Sequence, residues 1–111
     1  MSGWFELKTT SDGQFQFVLK ADNAETILTS ERYKAKSSAH NGIASVQENC
    51  GKDERYERLD SQNGKCYFNL KAANHQIIGT SQMYASAQSR DGGIASVKTN
   101  GVTTVIKDQT A

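Results

Sequence analysis

The sequence predicts an α+β fold in which two tandem β3-α-β repeats share one antiparallel sheet, with one helix per repeat and an approximate twofold axis. Three observations lead to this prediction. The 111-residue chain contains similar stretches at residues 19–33 (LKADNAETILTSERY) and 70–84 (LKAANHQIIGTSQMY), and the pentapeptide GIASV occurs at 42–46 and 93–97. The offset is 51 residues in each case (84 − 33 and 97 − 46), so the copies align without a gap. In each copy the apolar period changes from 2 to 3.6, which is typical of strands followed by a helix.

A unit of about 50 residues buries too little surface to be stable alone, so two copies are expected to share one core. The sequence contains no proline and no Ser/Gly-rich linker that would separate them. We therefore predict a single domain over residues 1–111, with repeat one at about 3–53 and repeat two at about 54–107.

The first repeat opens with three predicted strands joined by tight turns. Residues 4–8 alternate apolar and polar side chains, and Asp12-Gly13 follows as a turn because glycine accepts a positive φ angle. Residues 14–20 form the second strand, and residues 25–30 the third. Alternation places three apolar side chains of the second strand on one face, which is expected to be buried: Phe15, Phe17 and Leu19.

A helix follows in each repeat, and one of its faces is apolar. In the first helix that face carries residues at i, i+3, i+4 and i+7: Ala39, Gly42, Ile43 and Val46. Glycine on the inner face of both helices, at 42 and 93, indicates a close approach of the helix backbone to the sheet. Ser86 can cap the second helix at its N-terminus, Asn49 and Asn100 suit helix ends, and Gly101 suits a left-handed C-terminal cap.

The second repeat follows the same plan, with a strand at residues 56–60, a turn at Asn63-Gly64 and a third strand centred on Ile78. Its buried row is predicted to be Cys66, Phe68 and Leu70. Residues 102–107 form a last strand, whose counterpart 51 residues earlier, 51–56, overlaps the first strand of repeat two. One segment is therefore expected to end the first repeat and to begin the second.

The stretches LKAANHQIIGTSQMY and GIASV, together with the opening GWFEL, resemble the YegP-like family of small uncharacterised bacterial proteins. The resemblance implies tandem β3-α-β units in a single sheet, with the strand after each helix exchanged between the units. It also implies that single-copy relatives dimerise, whereas this chain, which holds both halves, is a monomer with an internal pseudo-dimer. No catalytic or binding residue and no cofactor is carried over. Ala24 stands where the family often has glycine, which weakens a type I′ assignment of that turn.

The charge balance argues against nucleic acid and membranes as partners. Thirteen Lys and Arg against twelve Asp and Glu give a net charge of +1, whereas binding to phosphates or to an anionic membrane surface favours a basic excess. The sequence shows neither a signal-peptide pattern nor a run of about 20 apolar residues, so a cytoplasmic location is expected. The two cysteines, Cys50 and Cys66, are not repeat equivalents and are expected to be free thiols. Cys50 stands at the end of a helix, a position that can be exposed.

The candidate binding residues are polar or aromatic side chains present in both copies. A structural role for them competes with a binding role, because Asn fits a turn and Tyr can close a strand-to-helix corner with its hydroxyl hydrogen-bonded. Alternatively, the lysines and tyrosines line symmetric pockets for an anion or a peptide. The repeated pairs are Lys20 and Lys71, Asn23 and Asn74, and Tyr33 and Tyr84, to which Tyr67 is added as an aromatic of the sheet.

No catalytic, cofactor or metal site is predicted. His40 and His75 have no partner at a metal-ligand spacing. Arg55 and Arg58 alternate with acidic residues, which is typical of a solvated strand face.

Three functions compete. The leading hypothesis is a non-enzymatic binding or adaptor module that recognises a protein, a peptide or a small ligand, at a sheet edge or on the uncovered sheet face. The second is single-stranded nucleic-acid binding through Tyr67, Lys20 and Lys71. The third is an enzyme, for which Tyr84, His75 and Cys66 would have to converge on one cleft.

Overall fold

The computed structural model describes residues 3–110, so the first two residues and the last residue of the predicted domain lie outside the described part. Repeat one contributes three strands and a helix: β1 Trp4–Thr9, β2 Phe15–Lys20, β3 Thr26–Ser30 and α1 Lys36–Asn49. A short 3-10 helix, Asp53–Arg55, precedes repeat two. The remaining elements are β4 Tyr56–Asp60, β5 Cys66–Lys71, β6 Ile77–Thr80, α2 Ala87–Asn100 and β7 Ile106–Asp108.

The strands form one sheet in the order β4-β5-β6-β3-β2-β1-β7. All neighbouring strands are antiparallel except β1 and β7, which are parallel. β7 follows α2 and pairs with β1 of repeat one. β4, the segment that ends repeat one and begins repeat two, follows α1 and pairs with β5 of repeat two. The predicted exchange between repeats is therefore confirmed.

The last strand is shorter and later than the 102–107 predicted from the sequence. Residues 101–104 turn the chain away from α2, and the Thr103 N–H donates to the Asn100 carbonyl (3.1 Å). Gln47 of α1 then holds this turn, since its Nε2 donates to the Thr103 carbonyl oxygen at 2.8 Å. The chain becomes extended only from Val105, whose carbonyl accepts the Phe5 N–H at 2.9 Å.

The two repeats meet where β3 pairs with β6. Thr29 pairs with Thr80, which is its own counterpart because 80 − 29 = 51. Two equivalent residues can pair with each other only on the twofold axis, so the axis passes through this pair. The predicted approximate twofold symmetry is confirmed.

Both helices cover the same face of the sheet. One hydrophobic core contains inward residues of the strands of both repeats, such as Phe17 and Phe68, together with Ile43 and Val46 of α1 and Val97 of α2. The predicted helix face is buried at all four positions. Of the predicted strand rows, Phe15 is only partly buried, while the other five side chains are buried: Phe17, Leu19, Cys66, Phe68 and Leu70. No element within residues 3–110 covers the opposite face of the sheet.

Four hairpin turns share one conformation. In each, the N–H of the fourth residue donates to the carbonyl of the first, and the fourth residue alone has a positive φ. This residue is Gly13, Ala24 (φ 70°), Gly64 or His75 (φ 69°). Type I′ turns need positive φ at both central residues, so these are instead three-residue hairpin loops with a left-handed last residue.

Three details differ from expectation. Gly101 is right-handed (φ −69°), because the chain continues in a helical turn and its N–H bonds to the Val97 carbonyl. Cys50 is fully buried rather than exposed, since it packs between the ends of the two helices. Arg55 lies in the 3-10 helix and not on a strand. No helix of residues 3–110 is long and apolar enough to cross a membrane.

Candidate ligand clefts between the repeats

The sequence-predicted binding residues fall into two groups on opposite faces of the sheet. Lys20 and Lys71 follow the buried Leu19 and Leu70, and Tyr67 stands between two buried residues, so alternation places these three on the uncovered face. The tyrosines and asparagines lie on the helix side, where they line two clefts. The full set of seven therefore does not form one site.

The two clefts are related by the twofold axis, and each is built from both repeats. The first cleft, of about 170 Å³, brings the β2–β3 turn against α2; the second, of about 250 Å³, brings the β5–β6 turn against α1. The first cleft is lined by Ala21, Asn23, Ile27, Tyr84, Gly93 and Ser96. Their counterparts in the second cleft are Ala72, Asn74, Ile78, Tyr33, Gly42 and Ser45. Symmetric pockets lined by the repeated lysines and tyrosines were one of the expected alternatives. The tyrosines do line the two clefts, where Asn23 lies with Tyr84 and Asn74 with Tyr33, but Lys20 and Lys71 line neither cleft.

Each tyrosine lies between the sheet and a helix. The backbone of Tyr33 pairs with Phe15 through two hydrogen bonds of 2.7 Å, which closes the corner after β3. Its ring stacks on Phe17 with centroids 6.3 Å apart and planes 7° apart. Tyr84 repeats the arrangement on Phe68, at 6.4 Å and 11°. The predicted close approach of the helix glycines is therefore to these tyrosines: a Cβ built on Gly42 would stand 2.6 Å from the Tyr33 hydroxyl oxygen.

The two tyrosine hydroxyls differ from the expected corner arrangement. Within residues 3–110, neither the Tyr33 nor the Tyr84 hydroxyl forms a hydrogen bond to another group of the chain. Burial, with the nearby Glu31 carboxylate, raises the pKa of Tyr33 above its ordinary value of 10.0. The Tyr33 hydroxyl is therefore protonated at neutral pH and can donate a hydrogen bond to a molecule in the second cleft.

The asparagines have a structural role in their turns. The Asn23 side-chain oxygen accepts the Glu25 N–H, and that of Asn74 accepts the Gln76 N–H, both at 3.1 Å. Such bonds mimic a backbone turn, as the structural interpretation predicts. The amide of Asn23 also donates to the Glu25 carboxylate at 3.3 Å. Asn74 has neutral Gln76 in place of that carboxylate, so its amide group stays available to the second cleft.

A third cavity, of about 310 Å³, adjoins the second cleft and shares Ser45, Ala72 and Asn74 with it. Its other lining residues include Lys52 and Arg55. Arg55 was not among the candidate residues predicted from the sequence, because the alternating charges around it indicated a solvated strand face. One signal was present: the residue equivalent to Arg55 is Trp4 (55 − 4 = 51), so the repeat is broken at this position.

On the uncovered face the two lysines are not equivalent. Lys71 forms an ion pair with Glu57 (3.2 Å), and Glu57 also accepts a hydrogen bond from Asn69. Asn69 and Lys71 together hold the pKa of Glu57 below its ordinary value. The charge of Lys71 is therefore largely balanced, which reduces the positive surface available to a phosphate backbone.

Tyr84, His75 and Cys66, the residues considered for catalysis, do not line a common cleft. Tyr84 lines the first cleft, whereas His75 belongs to the turn that borders the second cleft and is exposed. The Cys66 thiol lies within 3.5 Å of Asp60 at the β4 end of the sheet. Burial raises the pKa of Cys66, and Asp60 raises it further, so the thiolate is disfavoured. Within residues 3–110, no three His, Cys, Asp or Glu side chains are grouped as metal ligands.

Several known proteins similar in sequence to this chain come from one family. A family model described as "Domain of unknown function (DUF1508)" matches residues 10–57 and 61–108, two ranges offset by 51 residues (61 − 10). A UPF0339 protein of Acinetobacter baylyi is 68% identical over 110 residues, covering 99% of each chain. The UPF0339 protein YegP of Escherichia coli K12 is 66% identical over 99% of this chain and 100% of its own length.

Two solved structures have the same fold. The solution NMR structure of yegP from E. coli, described as a protein of unknown function, superposes with a TM-score of 0.96 at 66% identity, covering 100% of this chain and 96% of that one. The solution NMR structure of a UPF0339 protein from Shewanella oneidensis gives 0.94 at 63% identity, covering 99% and 93%.

Proposed function

The chain belongs to the DUF1508 family of UPF0339 proteins that includes YegP, and from this premise we propose that it is a non-enzymatic binding module whose ligand enters the clefts between its repeats. The descriptions of its relatives assign them no activity, so membership defines the fold, and the proposal rests on the geometry of this chain.

One observation carries the proposal: the Tyr33 and Tyr84 hydroxyls stand in equivalent clefts and have no hydrogen-bonding partner within residues 3–110. A partly buried hydroxyl without a protein partner needs water or a ligand. In the second cleft the hydroxyl lies together with a side-chain amide, that of Asn74, and with the apolar Ile78. An apolar wall with a few converging polar groups is typical of small-molecule sites.

The separation of Cys66, His75 and Tyr84 supports binding over catalysis. A general base or nucleophile must lie within hydrogen-bonding reach of its partner. Cys66 instead faces Asp60, which disfavours the thiolate form of this side chain.

Other modes of binding have less support. Strand addition at β4 is opposed by ion pairs of Arg58 with Asp53 (3.1 Å) and Asp91 (3.3 Å), because charges along an edge discourage pairing. At the other edge, β7 offers only three residues. Single-stranded nucleic acid on the uncovered face is disfavoured by the pairing of Lys71 with Glu57.

We further propose that the chain acts as a cytoplasmic monomer. Both cysteines are free and buried, which suits a reducing compartment. The exchanged strands are supplied within one chain, so the repeats already form an internal pseudo-dimer.

The experiment is a fragment screen followed by ¹⁵N–¹H NMR of the full chain. We expect bound fragments to shift the amides of Asn74 and Gly42, or of their counterparts Asn23 and Gly93. Tyr33→Phe and Tyr84→Phe should weaken binding at the second and the first cleft respectively. Tyr67→Phe, on the uncovered face, is the matched control and should change neither. Fragments that shift only residues of the uncovered face, or no residue at all, would refute the cleft assignment.

A further inference from the structure

We propose that the second cleft and the cavity beside it form one site for a small organic molecule that carries a carboxylate or a phosphate group, with Arg55 as the anchor of the anion. This inference rests on the proposed function, because it assigns a ligand class to one of the two clefts. The first cleft would not share this preference.

Arg55 is held in place by the end of α1. Its Nε donates to the side-chain oxygen of Asn49 at 2.9 Å. Asn49 is buried and is itself fixed, since its Nδ2 donates to the Ser45 carbonyl at 2.8 Å. In repeat two the equivalent Asn100 instead accepts the backbone N–H of Gly3, at 2.7 Å. The break of the repeat at residue 55 thus replaces a backbone donor with a guanidinium group.

Arg55 differs from the other arginines, whose charges are balanced by aspartate carboxylates. Arg32 pairs with Asp12, Arg58 with Asp53 and Asp91, and Arg90 with Asp60 and Asp91. Within residues 3–110, Arg55 forms no ion pair, and its two terminal amino groups have no acceptor. A guanidinium that is oriented through Nε keeps both terminal amino groups for a planar or tetrahedral anion.

The surroundings favour an anion on this side of the molecule only. Lys52 supplies a second cation to the cavity, which also contains one carboxylate, that of Glu48. At the position where the second cleft has Gln76, the first cleft has Glu25. Among the described residues, 3–110, no Lys or Arg lines the first cleft. The adjoining spaces of about 310 and 250 Å³ suit a ligand whose anionic end meets Arg55 and whose other end reaches the Tyr33 hydroxyl.

The test is titration of the full-length ¹⁵N-labelled protein with inorganic phosphate and, separately, with succinate, at an ionic strength held constant by chloride. We expect saturable shifts of the Arg55 side-chain Nε–H and of the Lys52 and Asn74 amides. Arg55→Gln should weaken binding about tenfold or more, because it removes charge-assisted hydrogen bonds. Arg55→Lys keeps the positive charge but loses the two parallel N–H donors of the guanidinium, so its affinity should lie between those of wild type and Arg55→Gln. Arg32→Gln removes an exposed arginine that pairs with Asp12 and lines neither the second cleft nor the adjoining cavity, and it should leave binding unchanged.

The two titrations separate the sources of the anion: tighter succinate binding indicates a carboxylate ligand, and tighter phosphate binding a phosphorylated one. Shifts that do not saturate, that chloride reproduces, or that persist in Arg55→Gln overturn the inference. If Arg55→Gln unfolds, Lys52→Gln and Arg55→Lys provide the same comparison, with an expected loss of about threefold or more in each. Neutral fragments that bind in the clefts, combined with phosphate and succinate shifts that do not saturate, would leave the proposed function standing while this inference fails.

Discussion

Gly101 lies in contact with Cys50, its own counterpart in the first repeat: a Cβ atom built on Gly101 would stand 2.9 Å from both the Cβ and the Sγ of Cys50. Equivalent residues touch only on the twofold axis, which therefore runs from this contact to the Thr29–Thr80 pair of the sheet. The space between the helix ends holds one side chain. Cysteine in one copy and glycine in the other fill it without overlap.

Exchanging these two residues should cost less than the sum of the two single changes. Gly101→Ala overfills the contact and is expected to lower the free energy of unfolding by about 1–3 kcal/mol. Cys50→Gly leaves a cavity and should also destabilise. The double variant Cys50→Gly/Gly101→Cys restores one side chain to the space, but its new Cβ still lies 2.8 Å from the Val97 carbonyl oxygen, so it should recover only part of the sum of the two losses. Urea unfolding of the three variants measures the coupling, and Gly51→Ala, with nothing within 4 Å of the added Cβ, is the control. If the loss of unfolding free energy in the double variant equals the sum of the two single losses, the two residues do not share one space.

Dividing the chain after Lys52 should leave two halves that are unfolded or dimeric. Residues 1–52 would lack β7, the neighbour of β1, and both halves would lose the β3–β6 junction at the centre of the sheet. Each half would then expose one side of the common core. Circular dichroism and analytical ultracentrifugation of each half, and of an equimolar mixture, provide the measurement. We expect the mixture to regain the spectrum of the intact chain; a folded monomeric half would show that the repeats are independent.

Glycine should stabilise two of the hairpin turns. Ala24 and His75 have φ angles of 70° and 69°, where a side chain costs about 1–2 kcal/mol. Glycine removes this cost but adds flexibility to the unfolded chain, so Ala24→Gly and His75→Gly should each raise the free energy of unfolding by about 0.5–1 kcal/mol. The reciprocal change, Gly13→Ala, should lower it by a similar amount. Unfolding midpoints in urea decide this, and a loss of stability in both glycine variants would contradict it.

The strands, the helices and their buried faces could be predicted because side-chain periodicity is local information. The turn at Asn63-Gly64 and the helix face around Ile43 needed only neighbouring residues. The clefts could not be predicted in this way. The repeat shows that Asn23 and Asn74 are equivalent, but only the twofold packing decides that Asn23 meets Tyr84 rather than Tyr33. Arg55 was missed because the 3-10 helix that turns it toward Asn49 interrupts the repeat.

Two adjacent glycines of α2 should respond in opposite directions to alanine. Glycine inside a helix costs about 0.5–1 kcal/mol relative to alanine. Gly92 has nothing within 4 Å of an added Cβ, so Gly92→Ala should stabilise by about this amount. At Gly93 the added Cβ would overlap the Tyr84 hydroxyl, so Gly93→Ala should instead destabilise by about 1–3 kcal/mol. Thermal unfolding compares the two, and Tyr84→Phe in the Gly93→Ala background should recover part of the loss. Equal gains from both alanines would disprove the close contact.

Tyr56 should make the protein sensitive to alkali. Its hydroxyl donates to the Cys50 carbonyl at 2.5 Å, its ring packs edge-on against Phe68, and the side chain is only 7% exposed. Burial, followed by the nearby Cys50 and Asp53, raises the pKa of Tyr56 well above its ordinary value of 10.0. Above pH 10 the unfolded chain therefore releases this proton while the folded chain keeps it, so the free energy of unfolding falls as the pH rises. Below about pH 9 this contribution is constant.

Tyr56→Phe is the variant that isolates this contribution. At pH 8 it should lower the free energy of unfolding by about 1–2 kcal/mol, because the Cys50 carbonyl loses its donor. Burial also raises the pKa of Cys50, so wild type loses stability at high pH for more than one reason and must be compared with the variant. Urea unfolding at intervals between pH 8 and pH 11 should show the two curves converging above pH 10, because phenylalanine has no proton to release. Tyr67→Phe, on the uncovered face, should run parallel to wild type. If the Tyr56→Phe curve also stays parallel to wild type, the buried hydroxyl is not the group that titrates.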